Sequence, residues 1–189
     1  DAGPTELAGE AERALVRNAP AAVTGDFAAT AKAATNIGDL VLDVIVVEPD
    51  EWWVGWHQAT TVPECWPGGL CPVTMPADGI SRAYLKMEEG LLWSGLPVKA
   101  GEHCAEIGCA PGGASLALLK RGLHVMGIDP AEVDSRVAEH PHFVHVRKRG
   151  ADVRRREFRK TKWLFADMNV APQYTLDTVQ EIVTHADVD

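Results

Sequence analysis

Apolar and polar positions along this chain follow two periods in turn, and the change of period marks its elements. Residues 40–47 (LVLDVIVV) form an almost unbroken run of β-branched and aliphatic side chains. They read as a strand, followed by a Glu48-Pro49-Asp50-Glu51 turn and a second strand over 52–57, together a hairpin. Further on, Leu116, Leu119 and Leu123 recur at helical spacing over 114–120, and Gly122 stands where a left-handed C-cap residue is wanted. Short apolar runs flank that helix at 104–107 and 125–128, and others follow at 143–146 and 163–166. Helical spacing returns over 81–93, with Tyr84, Leu85, Leu91 and Leu92 on the buried side and Ser81 as cap. It returns again over 173–185 through Leu176, Val179, Ile182 and Val183. Residues 130–139 read as a short loop or helix. Near the start, Thr5 is placed to cap a helix running to about Val16, and 26–34 reads as a second helix.

Strand, small-residue turn, helix and strand over 104–128 make one right-handed βαβ unit of a parallel sheet. The expected architecture is α/β: a Rossmann-like domain with a partial sheet, preceded by a small α+β segment. Residues 58–79 are rich in Thr, Pro, Gly and Cys and read as a linker. The boundary is placed near Asp78, giving segments 1–77 and 78–189.

The turn between the first two parallel strands carries candidate chemistry. Gly108, Gly112 and Gly113 lack a Cβ, so a ligand can approach the backbone closely. Pro111 fixes one φ and withholds an N–H. Asp129 ends the second strand, 21 residues after Gly108, about where an acid accepts hydrogen bonds from both ribose hydroxyls of an adenosine cofactor. The order Glu106-Ile107-Gly108-Cys109-Ala110-Pro111-Gly112-Gly113 lacks the second glycine of G-x-G-x-x-G. That weakens a nicotinamide-dependent oxidoreductase reading, and an acid two residues before the first glycine suits a cationic ligand better than a diphosphate.

Composition changes this picture little: of 189 residues, 46% are hydrophobic and 24% charged, ordinary for a globular chain. The four cysteines show no secreted framework, so a reducing cytoplasm is the expected setting. His57, Cys65 and Cys71 include no C-x-x-C pair, and no metal site is expected. Trp52, Trp53 and Trp56 are read as core and hairpin packing, in preference to an RNA-stacking platform. Net charge is −9, yet nine of the 18 Lys and Arg lie between Arg147 and Lys162. That concentration leaves two readings open, a solvated charged surface or an RNA-facing one.

The E-x-G-x-x-P-G-G pattern resembles motif I of class I S-adenosylmethionine methyltransferases. Its A-P-G-G ending is similar to that of the FtsJ-like (RrmJ-like) RNA ribose 2′-O-methyltransferases. Ser81-Arg-Ala-Tyr-Leu-Lys86-Met-Glu-Glu resembles the S-R-x-x-x-K-[LM]-x-E segment of that family, and Asp167-Met168-Asn169 with Pro172 resembles its D-M-x-x-x-P stretch. The resemblance implies catalytic roles for Lys86 and Asp167 in a Lys-Asp-Lys-Glu tetrad. It implies contacts to S-adenosyl-L-methionine from Ser81, Gly108, Ala110, Pro111, Gly112, Gly113, Asp129 and Asp167. From spacing alone, Arg82, Lys86 and Glu89 would be a solvated helix face with an ion pair. W-V-G-W-H-Q and W-P-G-G-L resemble the branch acting on a cytidine ribose of bacterial large-subunit ribosomal RNA. There an RNA-binding THUMP-type region comes first, which implies that residues 1–77 are its tail and that the partner is ribosomal RNA. The family's acid for the adenine amino group falls, in register, on Arg149, with Asp152 three residues on. The second Lys and the Glu of the tetrad would lie past Asp189, so the expectation is a catalytically incomplete chain. The chain opens on Asp1, so a fragment or a processed chain is expected. A non-catalytic RNA-binding relative is the rival reading.

Overall fold

The computed structural model describes residues 6–18 and 35–185, and the chain divides into two compact units, Asp1–Pro72 and Val73–Asp189. The first unit holds helix α1 (Glu6–Asn18) and a hairpin of β1 (Leu40–Glu48) and β2 (Glu51–Gln58). Thr5 and the second helix expected over 26–34 lie outside the described residues. The strands pair antiparallel with Trp52 opposite Val46, Trp53 opposite Ile45 and Trp56 opposite Leu42. The core packing expected of these tryptophans is not found among the described residues. All three are exposed there, Trp56 to 74%, and two strands alone cannot bury both of their faces.

The second unit carries α2 (Ala83–Ser94), β3 (His103–Ile107), α3 (Gly113–Lys120), β4 (His124–Ile128), α4 (Ser135–Ala138), β5 (Phe143–Val146), β6 (Trp163–Ala166) and α5 (Pro172–His185). Its four strands lie in the order β5-β4-β3-β6, and each pairing is parallel. This order is the 3-2-1-4 portion of a Rossmann sheet, whose ligands sit outside the carboxyl ends of the strands where the order reverses, here beside β3.

Both faces of the sheet are covered, so the strands read as continuous apolar runs rather than alternating ones. On one face α3 packs with Leu91 of α2 over Cys104, Val125 and Phe143. Every residue from Gly113 to Leu119 is buried. On the other, Val153, Phe158 and Ile182 cover Ala105, Ile107 and Ile128. The end of α3 is a Schellman motif: Leu123 N–H donates to the Leu118 carbonyl and Gly122 N–H to that of Leu119. Gly122 is at φ +81°, so glycine stops the helix at the predicted place.

Two helix readings need correction. Ser81 does not cap α2 with its side chain; its carbonyl accepts from Tyr84 N–H at 3.0 Å, and its hydroxyl is buried without a partner. The apolar stripes of α2 and α5 are also narrower in burial than in sequence. Leu92, Leu176 and Val183 are exposed, while Leu91, Thr178 and Ile182 are buried.

Candidate functional site

The loop leaving β3 is shaped by what stands against it. Gly108 sits at φ +83°, and a Cβ there would lie 2.7 Å from the carbonyl oxygen of Asp167. Only glycine meets both demands. Its N–H donates to the Ile128 carbonyl at 2.9 Å, and Asp167 N–H donates to the Ile107 carbonyl at 3.1 Å. The carboxyl ends of β3, β4 and β6 are thereby drawn together around one glycine. Gly112 has φ +114° and faces Val137, and the Ala110–Pro111 peptide is cis. A side chain at Gly113 would run into the Ser81 hydroxyl.

Asp129 is held by backbone donors on both sides. One carboxylate oxygen accepts from Ala110 N–H at 3.2 Å and the other from Ala131 N–H at 2.8 Å. Each oxygen keeps a second lone pair. Gly108 and Asp129 line an open cleft of about 640 Å³, together with Arg149, Gly150, Met168, Asn169 and Tyr174. That is the size of a small-molecule site. Ser81, Ala110, Pro111, Gly112, Gly113, Lys86 and Asp167 are not among its lining residues.

Lys86 projects from α2 and reaches across the chain to Asp167, Nζ to Oδ1 at 3.2 Å and to Oδ2 at 3.5 Å. The partner inferred from helix spacing alone is therefore displaced: Lys86 pairs with an acid 81 residues away. Asp167 has its backbone against Gly108, and the next two residues, Met168 and Asn169, line the cleft.

Glu106 behaves differently from a ligand-facing acid. It is 1% exposed, and the Ser115 hydroxyl donates to its Oε2 at 2.5 Å. Burial, with Asp167 and Asp129 nearby, pushes its carboxyl up to about 8. Burial likewise raises the thiol of Cys104 to about 12, so on this face of β3 burial disfavours the charged form of both side chains. Arg149 lies in the cleft wall, whereas Asp152 lies in a short 3₁₀ turn (Gly150–Asp152). Sequence reading missed Lys148, Asn169 and Tyr174 as cleft residues; position after β5, after β6 and in the first turn of α5 was the available signal. In the first unit, His57 Nδ1 lies 2.7 Å from Asp43 Oδ2, which raises its pKa.

A doubly covered parallel sheet with a glycine turn and a strand-end acid defines a Rossmann-type nucleoside-binding domain. The FtsJ-like methyltransferase family model matches residues 80–186, and the chain belongs to that family, whose members in general depend on S-adenosylmethionine. It is 34% identical over 113 residues to the ribosomal RNA large subunit methyltransferase M of Halorhodospira halophila, covering 58% of this chain and 33% of that protein. The enzyme of the same name from Laribacter hongkongensis is 33% identical over 113 residues, covering 57% and 31%. That from Thauera aminoaromatica is 30% identical over 136 residues, covering 68% and 37%. The chain thus spans about a third of the length of these relatives. A solved structure described as a candidate hemolysin from Lactococcus lactis superposes with a TM-score of 0.51 at 20% identity, covering 57% of this chain and 54% of the other. That likeness concerns the fold alone.

Proposed function

We propose that this chain serves S-adenosylmethionine-dependent methyl transfer to a ribose 2′-hydroxyl of RNA, with ribosomal RNA as the substrate. The observation that carries the reading is the Lys86–Asp167 pair at 3.2 Å beside the glycine that lines the cleft. The names of the relatives support ribosomal RNA as substrate. Residues 1–77 are read as the tail of a THUMP-type RNA-binding region, the stretch from Arg147 to Lys162 as RNA-facing, and the setting as cytoplasmic. Among the described residues no helix is long and apolar enough to cross a membrane.

The residues present fit the cofactor. Gly108 leaves backbone open at the cleft, Asp129 offers free lone pairs to ribose hydroxyls, and the buried Ser81 hydroxyl has no partner. Ala110, Pro111, Gly112 and Gly113 complete the loop, and Asp167 borders it. When bound, S-adenosylmethionine supplies an electrophilic methyl on a sulfonium that leaves as a neutral thioether. A ribose hydroxyl is a poor nucleophile at neutral pH, so placement and proton management fall to the protein. In this reading Asp167 fixes the Lys86 ammonium, which donates to the acceptor oxygen and turns a lone pair toward the methyl, while the hydroxyl proton passes to water as the carbon–oxygen bond forms.

Calorimetric titration with S-adenosylmethionine and S-adenosylhomocysteine, with NAD as control, tests the reading. Both should bind, NAD should not, and Asp129→Ala should abolish the heat. Binding of NAD in preference, or binding that survives Asp129→Ala, refutes it.

A further inference from the structure

At the amino-terminal end of the sheet, opposite the cleft, a row of imidazoles forms. Parallel register sets His103 of β3 beside His124 of β4, and His142 stands just ahead of β5. The rings of His103 and His124 stack at 4.6 Å between centroids, and those of His124 and His142 lie 4.2 Å apart. His140 meets His142 edge-on at 5.7 Å. Rings stacked on their faces do not aim lone pairs at one point, and no cluster among the described residues could hold a metal ion.

His103, His124 and His142 floor an open groove of about 430 Å³, with Arg156, Arg159 and Lys160 among the residues that line it. The basic run divides here. Arg147 pairs with Glu132 at 3.3 Å, Lys148 with Glu157 at 4.0 Å and Lys162 with Glu102 at 2.5 Å. Arg156, Arg159 and Lys160 are exposed and have no carboxylate partner among the described residues. The one acid lining the groove, Glu157, is the partner of Lys148. Three available cations beside a row of N–H donors form a strip rather than a closed cup. A polymer with repeated negative charges matches that strip, whereas one small anion leaves most of it unsatisfied.

We propose that this groove holds phosphates of the RNA backbone, with Arg156, Arg159 and Lys160 as the contacts and the imidazole row as additional donors. The proposal rests on the reading of the chain as acting on RNA. It adds a second contact point, about 15 Å from the cleft by the rise of a five-residue strand. Binding here strengthens in acid. His124 titrates below the ordinary histidine value because burial and the neighbouring His142 and His103 disfavour its charge. The other groups facing it are His140, Arg156, Arg159, Lys160 and Glu157, with Glu102 near the start of β3 engaged by Lys162. Cations dominate among them and oppose a further positive charge on His124. A bound phosphate offsets that penalty and favours the charged imidazole of His124, so affinity rises as pH falls.

The test is fluorescence anisotropy of a labelled twelve-residue oligouridine with the full chain, across salt and pH 5.5–8. Arg156→Ala/Arg159→Ala should lower the slope of log affinity against log salt by about 1.4, the value for two lost contacts to single-stranded nucleic acid. His124→Gln/His142→Gln should flatten the acid strengthening. A salt slope unchanged by the arginine substitutions overturns the proposal, as does a wild-type affinity independent of pH. Binding of inorganic phosphate without binding of the oligouridine overturns it too. S-adenosylhomocysteine binding, measured on the same variants, should be unchanged. Loss of the cofactor titration in wild type would strike the methyltransferase reading instead, so the two failures are separable.

Discussion

Replacing Glu106 by Gln should make this protein's stability far less dependent on pH. In the folded state the carboxyl is held at about 8, against an ordinary value of 4.5. Between those two pH values the folded chain keeps a proton that the unfolded chain has released. Stability therefore falls as pH rises through that window and levels off above about pH 8. The loss is about 1.4 kcal/mol per pH unit in the middle of the window, and about 5 kcal/mol across the whole of it. That is comparable to the whole stability of many domains. Glutamine keeps a carbonyl to accept from Ser115 but cannot ionise. Its extra N–H groups cost about 1–3 kcal/mol if unpaired, a penalty that does not vary with pH. Wild type should thus be the more stable at pH 5, and the difference should shift toward the variant by several kcal/mol by pH 8. Urea unfolding followed by far-ultraviolet circular dichroism at pH 5.5, 6.5 and 7.5 gives the three differences. If they agree within about 0.5 kcal/mol, burial does not govern Glu106 and the reasoning fails.

Other substitutions probe separate links. Gly108→Ala, with its φ of +83° and a Cβ 2.7 Å from the Asp167 carbonyl, should cost at least about 1–3 kcal/mol in thermal or urea unfolding and eliminate S-adenosylhomocysteine binding. Lys86→Ala removes an ion pair whose lysine is 69% exposed, so urea unfolding should shift by no more than about 1 kcal/mol. A large loss would mean that Lys86 is structural. Leu118→Ala empties a fully buried site and should cost about 2–5 kcal/mol by the same assay. Glu102, held at about 2 by Lys162, the Trp163 indole N–H and the Lys99 N–H, gives stability that is complete above its ordinary value and lost as pH falls through 2. The gap between wild type and Glu102→Gln should therefore shrink on acidification from pH 4.5 to 2, read by circular dichroism.

The parallel sheet was legible because its strands and the Gly122 stop are written locally, in apolar runs and one left-handed glycine. The loop glycines were legible because a close backbone approach needs glycine. Side-chain direction was not. Ser81 had the residue type of a cap, yet its hydroxyl turns inward to Gly113, a fact fixed by packing of α2 on α3. Glu106 occupied the position of a ligand-facing acid, but strand alternation buries it under α3 with Ser115. The partner of Lys86 could not be found by i, i+4 spacing, since it comes from a strand 81 residues away. The tryptophans were misjudged for a simpler reason: apolar character says what would like to be buried, and two strands alone cannot bury both of their faces.

The late arrival of β6 has a kinetic consequence. β3, α3 and β4 are consecutive and can form as a local unit, but β6 docks beside β3 at the largest sequence separation of any strand pair described, with Cys104 meeting Trp163. Contacts at that separation make this strand costlier to add, and cheaper to release, than its neighbours. Asp167 rides at its tip, so the wall against Gly108 and the anchor of Lys86 are assembled last and opened first. In hydrogen exchange, β6 amides should exchange through smaller openings than those of β3 and β4. The cleft then behaves as a marginal feature mounted on a durable frame.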